Sequence, residues 1–163
     1  KLGRLDNLTV GLVGDLKDGR TVHSLISAMS RYEGIRFVLI SPRELALTDY
    51  VKEEVLDRTG CPYVETADME GAIPELDVLY MTRIQAERFA DRAEYDRLKN
   101  VYELTQAKLA GAKPTLSVMH PLPRVTEIHV DVDDDPRAWY FKQVKNGMFV
   151  RMALILKLLE VTV

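Results

Sequence analysis

Cysteine is nearly missing from this sequence, because Cys61 is the only one among its 163 residues. A single cysteine excludes an intrachain disulfide, which is typical of a reducing compartment, and we expect a cytoplasmic protein. Long apolar runs are missing too. The longest candidate, at residues 152–159, is interrupted by Lys157, and no run reaches the ~18 residues of a transmembrane helix. The first residues show no signal-peptide pattern.

An excess of positive charge is also lacking, since 22 basic and 25 acidic residues give a net charge of −3. This balance argues against a nucleic-acid-binding protein, whose contact surface would be basic, but a few local arginines are enough to bind a small anion. The length and the 47% hydrophobic content suit one globular domain with a full core. The chain begins with Lys1 rather than Met, which predicts a fragment, a processed chain or an excised domain.

A recognisable metal site is not present in the sequence. His23 and His129 form no zinc-binding pattern with Cys61. The acidic stretch at residues 131–136 lacks the glycine and the distal glutamate of an EF-hand. We therefore predict that this stretch is a solvated turn before a helix, and we expect neither a metal nor another cofactor.

Short apolar, β-rich runs alternate with segments of helical periodicity. Strands are predicted at 8–14, 36–41, 63–65, 77–81 and 115–119, and helices at 21–32, 49–58, 68–73, 105–110 and 138–160. Residues 86–98 should mix loop and helix, and Asn146 with Gly147 could interrupt the last helix. This alternation predicts a single α/β domain at 1–163, a doubly wound (Rossmann-like) parallel sheet with helices on both faces.

Polar segments follow three of the predicted strands, at residues 15–24, 82–88 and 120–124. Ligands of such sheets bind beyond the carboxyl ends of the strands, so these segments predict one shared site. The first segment nearly matches a phosphate-binding P-loop, with Arg20 where lysine belongs. Asp15 and Asp18 exclude this reading because their charge would repel a polyphosphate. What is left is Arg20 at a helix start, which suits an anion, although it could also be a solvated turn residue.

The other two segments offer an arginine and a proline-rich strand exit. Arg83 could form a two-pronged contact with a carboxylate, and Gln85 could face the same crevice, although both could equally be ordinary surface residues. Pro121 and Pro123 restrict the backbone after the fifth strand, so that carbonyl groups there could accept hydrogen bonds from a ligand. His120 could be a general base or a structural histidine, and the sequence does not decide between them.

Five stretches in this order resemble the aspartate carbamoyltransferases. They are residues 3–7 (GRLDN), 13–24 (VGDLKDGRTVHS), 79–85 (LYMTRIQ), 120–124 (HPLPR) and 138–141 (AWYF). Ornithine carbamoyltransferases share the fold, but they typically carry an Asn-Asn pair after Gly-Asp and a cysteine within the His-x-Leu-Pro-Arg motif. The pair Gly19 and Arg20, together with Pro121, therefore favours aspartate as the substrate.

The resemblance implies transfer of a carbamoyl group from carbamoyl phosphate to L-aspartate, giving N-carbamoyl-L-aspartate and phosphate in pyrimidine synthesis. It also implies that Arg20 and Arg83 bind the two carboxylates and that Gln85 helps to position the substrate. The backbone of Pro121, Leu122 and Pro123 would hold the carbamoyl group. It implies no metal, no cofactor and no covalent enzyme intermediate, and we assign no catalytic residue.

The family's carbamoyl-phosphate domain, with its Ser-Thr-Arg-Thr-Arg loop, has no counterpart in this sequence. We therefore expect the aspartate-binding domain alone, inactive by itself, with the missing N-terminal domain as a partner in a catalytic trimer and regulatory chains as further partners in some members. The apolar residues of the last helix, Leu154, Ile155, Leu158 and Leu159, would then be partly uncovered. A non-catalytic assembly domain and a carbamoyltransferase for another amino acid stay open as alternatives.

Overall fold

Five parallel strands form the centre of the molecule, in the spatial order β3-β2-β1-β4-β5. The computed structural model describes residues 1–161, so the last two residues of the predicted domain lie outside the described part. The strands are β1 (Thr9–Val13), β2 (Arg36–Ile40), β3 (Tyr63–Thr66), β4 (Val78–Met81) and β5 (Ser117–Met119). The chain moves outward from β1 to β3 and then crosses to β4, which lies beside β1. This reversal creates the crevice in which doubly wound sheets bind ligands.

Helices cover both faces of the sheet. They are α1 (Arg20–Met29), α2 (Asp49–Val51), which continues as a π-helix at Lys52–Asp57, α3 (Met69–Ala72), α4 (Arg92–Leu98) and α5 (Tyr140–Leu158). Short 3₁₀ turns connect them at Arg43–Leu45, Ile73–Glu75, Ala86–Arg88, Lys108–Gly111 and Val130–Val132. The predicted α/β fold class and the five predicted strands are confirmed.

Alternate residues of each strand enter two separate cores, because successive side chains of a strand point to opposite faces. On one face Leu12 and Phe37 pack against Val22 and Ile26 of α1. On the other face Val13, Val38, Leu79 and Val118 contact α3, the 3₁₀ turns and Tyr140 of α5. The central strands are buried on both sides, which explains why they appear in the sequence as continuous apolar runs.

The helix predicted at 105–110 is wrong. The chain there forms only the 3₁₀ turn Lys108–Gly111. Leu104 is held extended by an isolated parallel bridge to Ile128, with hydrogen bonds on both sides, which leaves too little chain for an α-helix before Gly111. A long-range pairing has therefore overridden the local helical pattern.

The suggested interruption at Asn146 and Gly147 is also wrong, since α5 runs unbroken from Tyr140 to Leu158. Glycine costs a helix about 1 kcal/mol relative to alanine, and the long run of good helix formers around it outweighs this cost. None of the helices in the described part of the chain is both long and apolar enough to cross a membrane.

The acidic stretch at 131–136 is only partly the solvated turn that was predicted. Asp131 and Asp134 are exposed, but the carboxylate of Asp133 accepts a hydrogen bond from the Tyr140 hydroxyl at 2.5 Å. The Asp135 side chain is 1% exposed and lies 2.7 Å from Nη2 of Arg137. Two of the four carboxylates are therefore structural, and only the fold supplies their partners.

Candidate functional site

A cleft of about 200 Å³ lies at the carboxyl ends of β1, β4 and β5. The three polar segments predicted to converge do converge here. The cleft is lined by Asp15, Gly19, Arg20, Thr21, Thr82, Arg83, Gln85, Arg88, His120, Pro121, Leu122 and Pro123. A larger groove of about 380 Å³, with a mainly apolar lining, lies at the amino ends of the same strands and contains none of the predicted site residues.

The N-terminus of α1 forms one wall of the cleft. Gly19 is the N-cap residue, and no side chain caps the helix, so the first backbone N–H groups have no acceptor within the helix. Arg20 is the first helical residue, and its side chain is exposed. No acidic residue lies in the first turn of α1. The helix dipole and the Arg20 guanidinium thus add to one positive potential, which favours an anion.

Close contact between the ends of β1 and β4 forms the floor of the cleft. The Thr82 hydroxyl donates to the Val13 carbonyl at 2.9 Å and accepts from the Asp15 N–H at 3.1 Å. Gly14 has a φ of 111°, and a Cβ atom there would overlap the carbonyl oxygen of Thr82. Only glycine fits this backbone conformation and this approach of the two strands.

The segment after β4 carries Arg83, Gln85 and Arg88 into the cleft. Nη2 of Arg83 lies 3.2 Å from Oε1 of Glu87, a contact at the solvent side, because the Glu87 side chain is 65% exposed. Nη1 of Arg88 lies 3.0 Å from Oδ2 of Asp15, whose side chain is only 3% exposed. Arg88 therefore neutralises the charge of the buried Asp15. Arg83 pairs with the exposed Glu87, which the carboxylate of a ligand can replace.

The proline-rich exit of β5 forms the third wall. Leu122 has a φ of 53°, in the left-handed region, and the following peptide bond to Pro123 is cis. A left-handed leucine is uncommon and persists only where its surroundings hold it. The surroundings are supplied by His120, which is 1% exposed and lies directly behind the loop.

Both ring nitrogens of His120 have protein partners. Nδ1 lies 2.8 Å from the Leu122 amide nitrogen, and Nε2 lies 2.8 Å from Oε1 of Glu127. This arrangement is that of a structural histidine, one of the two roles left open by the sequence. Burial alone would raise the pKa of Glu127, but hydrogen bonds from His120 and from the Val125 N–H outweigh it, and the pKa lies below its usual range.

Arg124 fixes the far end of the same loop. Its guanidinium contacts both carboxylate oxygens of Asp133, one of them at 2.6 Å, and Nη1 lies 3.2 Å from the Tyr140 hydroxyl. The hydrogen bond from Arg124 lowers the pKa of Asp133. The arginine of this motif thus anchors the loop to α5 instead of facing the cleft.

The donor set of the cleft suits an organic anion rather than a metal ion. Within residues 1–161 there is no group of three or more His, Cys, Asp or Glu side chains that could hold a metal. The cleft contains three arginines and a helix N-terminus, which donate hydrogen bonds, and its carboxylate, that of Asp15, is paired with Arg88. Such donors bind carboxylates and phosphates, and they do not coordinate cations.

Every residue predicted for the site lines this one cleft: Arg20, Arg83, Gln85, Pro121, Leu122 and Pro123. Sequence reasoning missed Arg88 as the partner of Asp15, and it missed Glu127 altogether. No local signal marks Glu127, because a single glutamate in a polar segment has the pattern of a surface residue. Only the folded structure shows that Glu127 is the hydrogen-bond partner of His120.

The fold and the cleft together define a doubly wound α/β domain with a cleft at its topological switch point whose arginines suit a small anion. Residues 6–158 match the model of the Asp/Orn-binding domain of aspartate/ornithine carbamoyltransferases. The aspartate carbamoyltransferase catalytic subunit of Lachnoclostridium phytofermentans is 60% identical over 159 residues, which are 98% of this chain and 52% of that protein. The corresponding subunit of Clostridium acetobutylicum is 58% identical over 97% of this chain and 52% of its own length.

Solved structures agree with these relatives. The catalytic subunit of M. jannaschii aspartate transcarbamoylase is 44% identical and superposes with a TM-score of 0.89 over 98% of this chain and 52% of its own. Aspartate transcarbamoylase from Trypanosoma cruzi, solved with aspartate and phosphate, is 39% identical with a TM-score of 0.83, over 94% of this chain and 48% of its own. The chain belongs to the aspartate/ornithine carbamoyltransferase family and corresponds to its Asp/Orn-binding domain. It spans about half the length of the curated relatives that it matches.

Proposed function

We propose that this chain supplies the L-aspartate site of an aspartate carbamoyltransferase. In the proposed reaction the α-amine of aspartate attacks the carbamoyl carbon of carbamoyl phosphate. The tetrahedral intermediate then collapses, the bond to the phosphate oxygen breaks, and the amine nitrogen loses a proton. The products are N-carbamoyl-L-aspartate and phosphate.

The observation that carries this proposal is the convergence of Arg20 and Arg83 on one small cleft. The two guanidinium groups come from different elements, the N-terminus of α1 and the segment after β4. A substrate with two carboxylates can engage both groups at once, and each contact is a charge-assisted hydrogen bond. Gln85 lines the same cleft and adds an amide that can donate or accept.

The cleft favours aspartate over ornithine as the substrate. Ornithine carries a cationic side chain, and binding it requires a carboxylate without a cationic partner. Asp15 is paired with Arg88, and Glu87 is paired with Arg83. The cationic side chain of ornithine would meet three arginines in this cleft, so charge repulsion selects against ornithine.

Catalysis in this proposal comes from orientation and hydrogen bonding. The carbonyl groups of Pro121 and Leu122 would accept hydrogen bonds from the carbamoyl NH₂ group and hold the carbamoyl carbon near the amine of aspartate. Holding two reactants in this way replaces a bimolecular step by an effectively unimolecular one. No residue of this chain is assigned as the proton acceptor.

The carbamoyl-phosphate domain, the catalytic trimer, regulatory chains and a cytoplasmic location belong to the same proposal. Relatives that are named catalytic subunits and are about twice as long as this chain support the additional domain. The trimer, the regulatory chains and the cytoplasmic location rest on the family resemblance alone. Sedimentation of a reconstituted catalytic subunit would test the trimer. A sedimenting monomer with full activity would contradict it.

The test of the dicarboxylate site uses succinate, which has two carboxylates but no amine to react. We expect succinate to shift the NMR signals of the backbone amides around Arg20 and Arg83. Arg83→Ala should weaken succinate binding about tenfold or more, because it removes one charge-assisted hydrogen bond. Arg97→Ala is the matched control, because Arg97 pairs with Glu44 outside the cleft and should leave binding unchanged. Equal succinate affinity in Arg83→Ala and the unmodified chain would contradict the assignment.

The test of the reaction needs a complete catalytic subunit. This chain can replace the matched half of the Lachnoclostridium phytofermentans subunit, with which it shares 60% of its residues. We expect the chimera to carbamoylate L-aspartate and not L-ornithine. A chimera that folds and binds succinate but does not turn over would favour the alternative of a non-catalytic assembly domain.

A further inference from the structure

A buried hydrogen-bonded chain runs from the core to the cleft through His120. Glu127 accepts hydrogen bonds from Nε2 of His120 through one carboxylate oxygen and from the N–H groups of Val125 and Thr126 through the other. On the opposite side of the ring, Nδ1 of His120 meets the backbone N–H of Leu122. The side chains of His120 and Glu127 are 1% and 7% exposed, so water does not compete for these bonds.

The contacts fix the tautomer of the imidazole. A backbone N–H can only donate, so Nδ1 must be the acceptor and carries no proton. The ring proton therefore lies on Nε2, where it is donated to the Glu127 carboxylate. With both nitrogens engaged, neither is directed at a substrate in the cleft, which excludes His120 as the general base.

The Leu122 N–H is the group that the imidazole holds. Leu122 has a φ of 53°, a left-handed conformation that is unfavourable for a residue with a Cβ atom. The hydrogen bond to Nδ1 spans only two residues and closes a tight loop around this left-handed position. The Leu122 N–H belongs to the same peptide unit as the Pro121 carbonyl, and the Leu122 carbonyl belongs to the next unit, so the directions of both carbonyl groups depend on this bond.

We propose that His120, oriented by Glu127, is a positioning residue that holds the Leu122 backbone in its left-handed conformation and so directs the carbonyl groups of Pro121 and Leu122 at the carbamoyl group. The inference rests on the proposed function of the cleft, because it specifies how the carbamoyl half of the site is held. It assigns to Glu127 and His120 a role in the reaction without contact between either side chain and the substrate.

Two substitutions at His120 test the contact of Nδ1 and the contact of Nε2 separately. His120→Asn keeps an acceptor near the position of Nδ1 and so retains the bond to the Leu122 N–H. His120→Gln places its amide near Nε2, which retains the bond to Glu127 and leaves the Leu122 N–H without its acceptor. His129→Asn is the control for a histidine outside the cleft, since His129 is exposed and contacts Asp131.

In the chimeric catalytic subunit we expect His120→Asn to lower kcat/KM for carbamoyl phosphate by a smaller factor than His120→Gln, because it keeps the acceptor for the Leu122 N–H. His120→Gln should lower kcat/KM for carbamoyl phosphate about tenfold to a hundredfold, the size of effect that a displaced positioning group produces. Succinate binding by the 163-residue chain should be the same in both variants. A merely structural role predicts that kcat/KM falls in both variants in proportion to the fall in their unfolding temperatures, and that result would overturn the proposal. Unchanged kinetics in His120→Gln would overturn it too.

A measurement on the unmodified chain tests the geometry even if a variant does not fold. Long-range ¹H–¹⁵N spectra of the histidine rings should show His120 as the neutral tautomer with the proton on Nε2. A proton on Nδ1 would overturn the proposal, because Nδ1 could not then accept from Leu122. An inactive unmodified chimera would count against the proposed reaction, while the ring spectra would still report on His120 and Leu122 separately.

Discussion

Nη1 of Arg88 lies 3.0 Å from Oδ2 of Asp15, and this ion pair joins two walls of the cleft across 73 residues of chain. Oδ1 of the same aspartate accepts from the Asp18 N–H at 2.9 Å, which shapes the turn before α1. One buried carboxylate thus fixes both the turn that presents Arg20 and the segment that presents Arg83.

Removing the cation of this pair should loosen the cleft. Arg88→Met leaves the buried Asp15 carboxylate without its counter-ion, and we expect the free energy of unfolding to fall by about 1–3 kcal/mol, with several-fold weaker succinate binding. Urea unfolding and an NMR titration measure the two effects. Arg92→Met is the control, because the Arg92 side chain is 76% exposed and pairs with Asp96 on the surface. Equal losses in the two variants would show that the Asp15–Arg88 pair has no special role.

The close contact between the ends of β1 and β4 leaves no space for a side chain at position 14. We expect Gly14→Ala to lower the free energy of unfolding by roughly 3 kcal/mol, since a strained φ and an overlap with the Thr82 carbonyl add together. Gly60→Ala separates the two causes. Gly60 has a φ of 68° with nothing within 4 Å of an added Cβ, so it should cost only about 1 kcal/mol. Chemical denaturation of both variants tests the difference, and similar costs would mean that the overlap relaxes freely.

Asp135 should contribute to stability only above acidic pH. The hydrogen bond from Arg137 holds the pKa of the Asp135 carboxyl far below its usual range, against the opposing effect of burial. The unfolded chain therefore takes up this proton first as pH falls, so the contribution is complete above about pH 4 and is lost as pH falls through the pKa of the folded state.

We expect Asp135→Asn to lower the free energy of unfolding by about 3 kcal/mol at pH 7, because a buried pair loses one charge. The difference in the free energy of unfolding between the variant and the unmodified chain should become smaller below about pH 4. Thermal unfolding from pH 2 to 7 measures it. Asp134→Asn is the matched control at an exposed neighbour and should change stability by less than about 0.5 kcal/mol. A gap that stays constant with pH would show that Asp135 is not ionised at neutral pH.

Tyr102 should stabilise the folded state at neutral pH, and this contribution should be lost at alkaline pH. Its hydroxyl donates to the Ala67 carbonyl at 3.1 Å, and burial, with the nearby charge of Asp68, raises the pKa of Tyr102 to about 12. The unfolded phenol ionises near pH 10, so this contribution is present below pH 10 and is lost as pH rises toward 12. Tyr102→Phe should cost about 1 kcal/mol at pH 7 and flatten the alkaline decline. Tyr50→Phe, at a residue that is 73% exposed, should leave both unchanged.

The second half of α5 should bind an apolar dye. Leu154 and Ile155 are each 56% exposed and Leu158 is 81% exposed, as expected from the sequence for this helix. Such a patch on the 163-residue chain predicts enhanced ANS fluorescence. Replacing these three residues with glutamine should reduce the fluorescence without lowering the unfolding temperature. Val64→Gln, at an exposed apolar residue on β3, is the control and should leave the fluorescence unchanged.

The strands and most helices could be predicted because their signals are local. The apolar runs of β1 and β4 are continuous in the sequence, since both faces of these strands are buried. The helix at 105–110 could not be judged in this way, because the bridge from Leu104 to Ile128 depends on chain that lies more than twenty residues away. The solvated interpretation of Asp135 was wrong as well, because its buried side chain pairs with Arg137, whose backbone carbonyl accepts a hydrogen bond from the Val118 N–H of β5.

The sequence by itself determined the α/β class and the three polar segments that meet at the cleft, because strand periodicity and the carboxyl-edge rule need only local patterns. The choice of Arg20, Arg83 and Gln85 among these segments rested on the family resemblance. Only the tertiary structure decided the roles of the residues behind the cleft. The partner of Asp15, the tautomer of His120 and the position of Glu127 each depend on atoms brought together by folding, at distances of 2.8 to 3.0 Å that no local pattern encodes. In a buried site such contacts determine charge and direction, because water is not there to compensate for a missing partner.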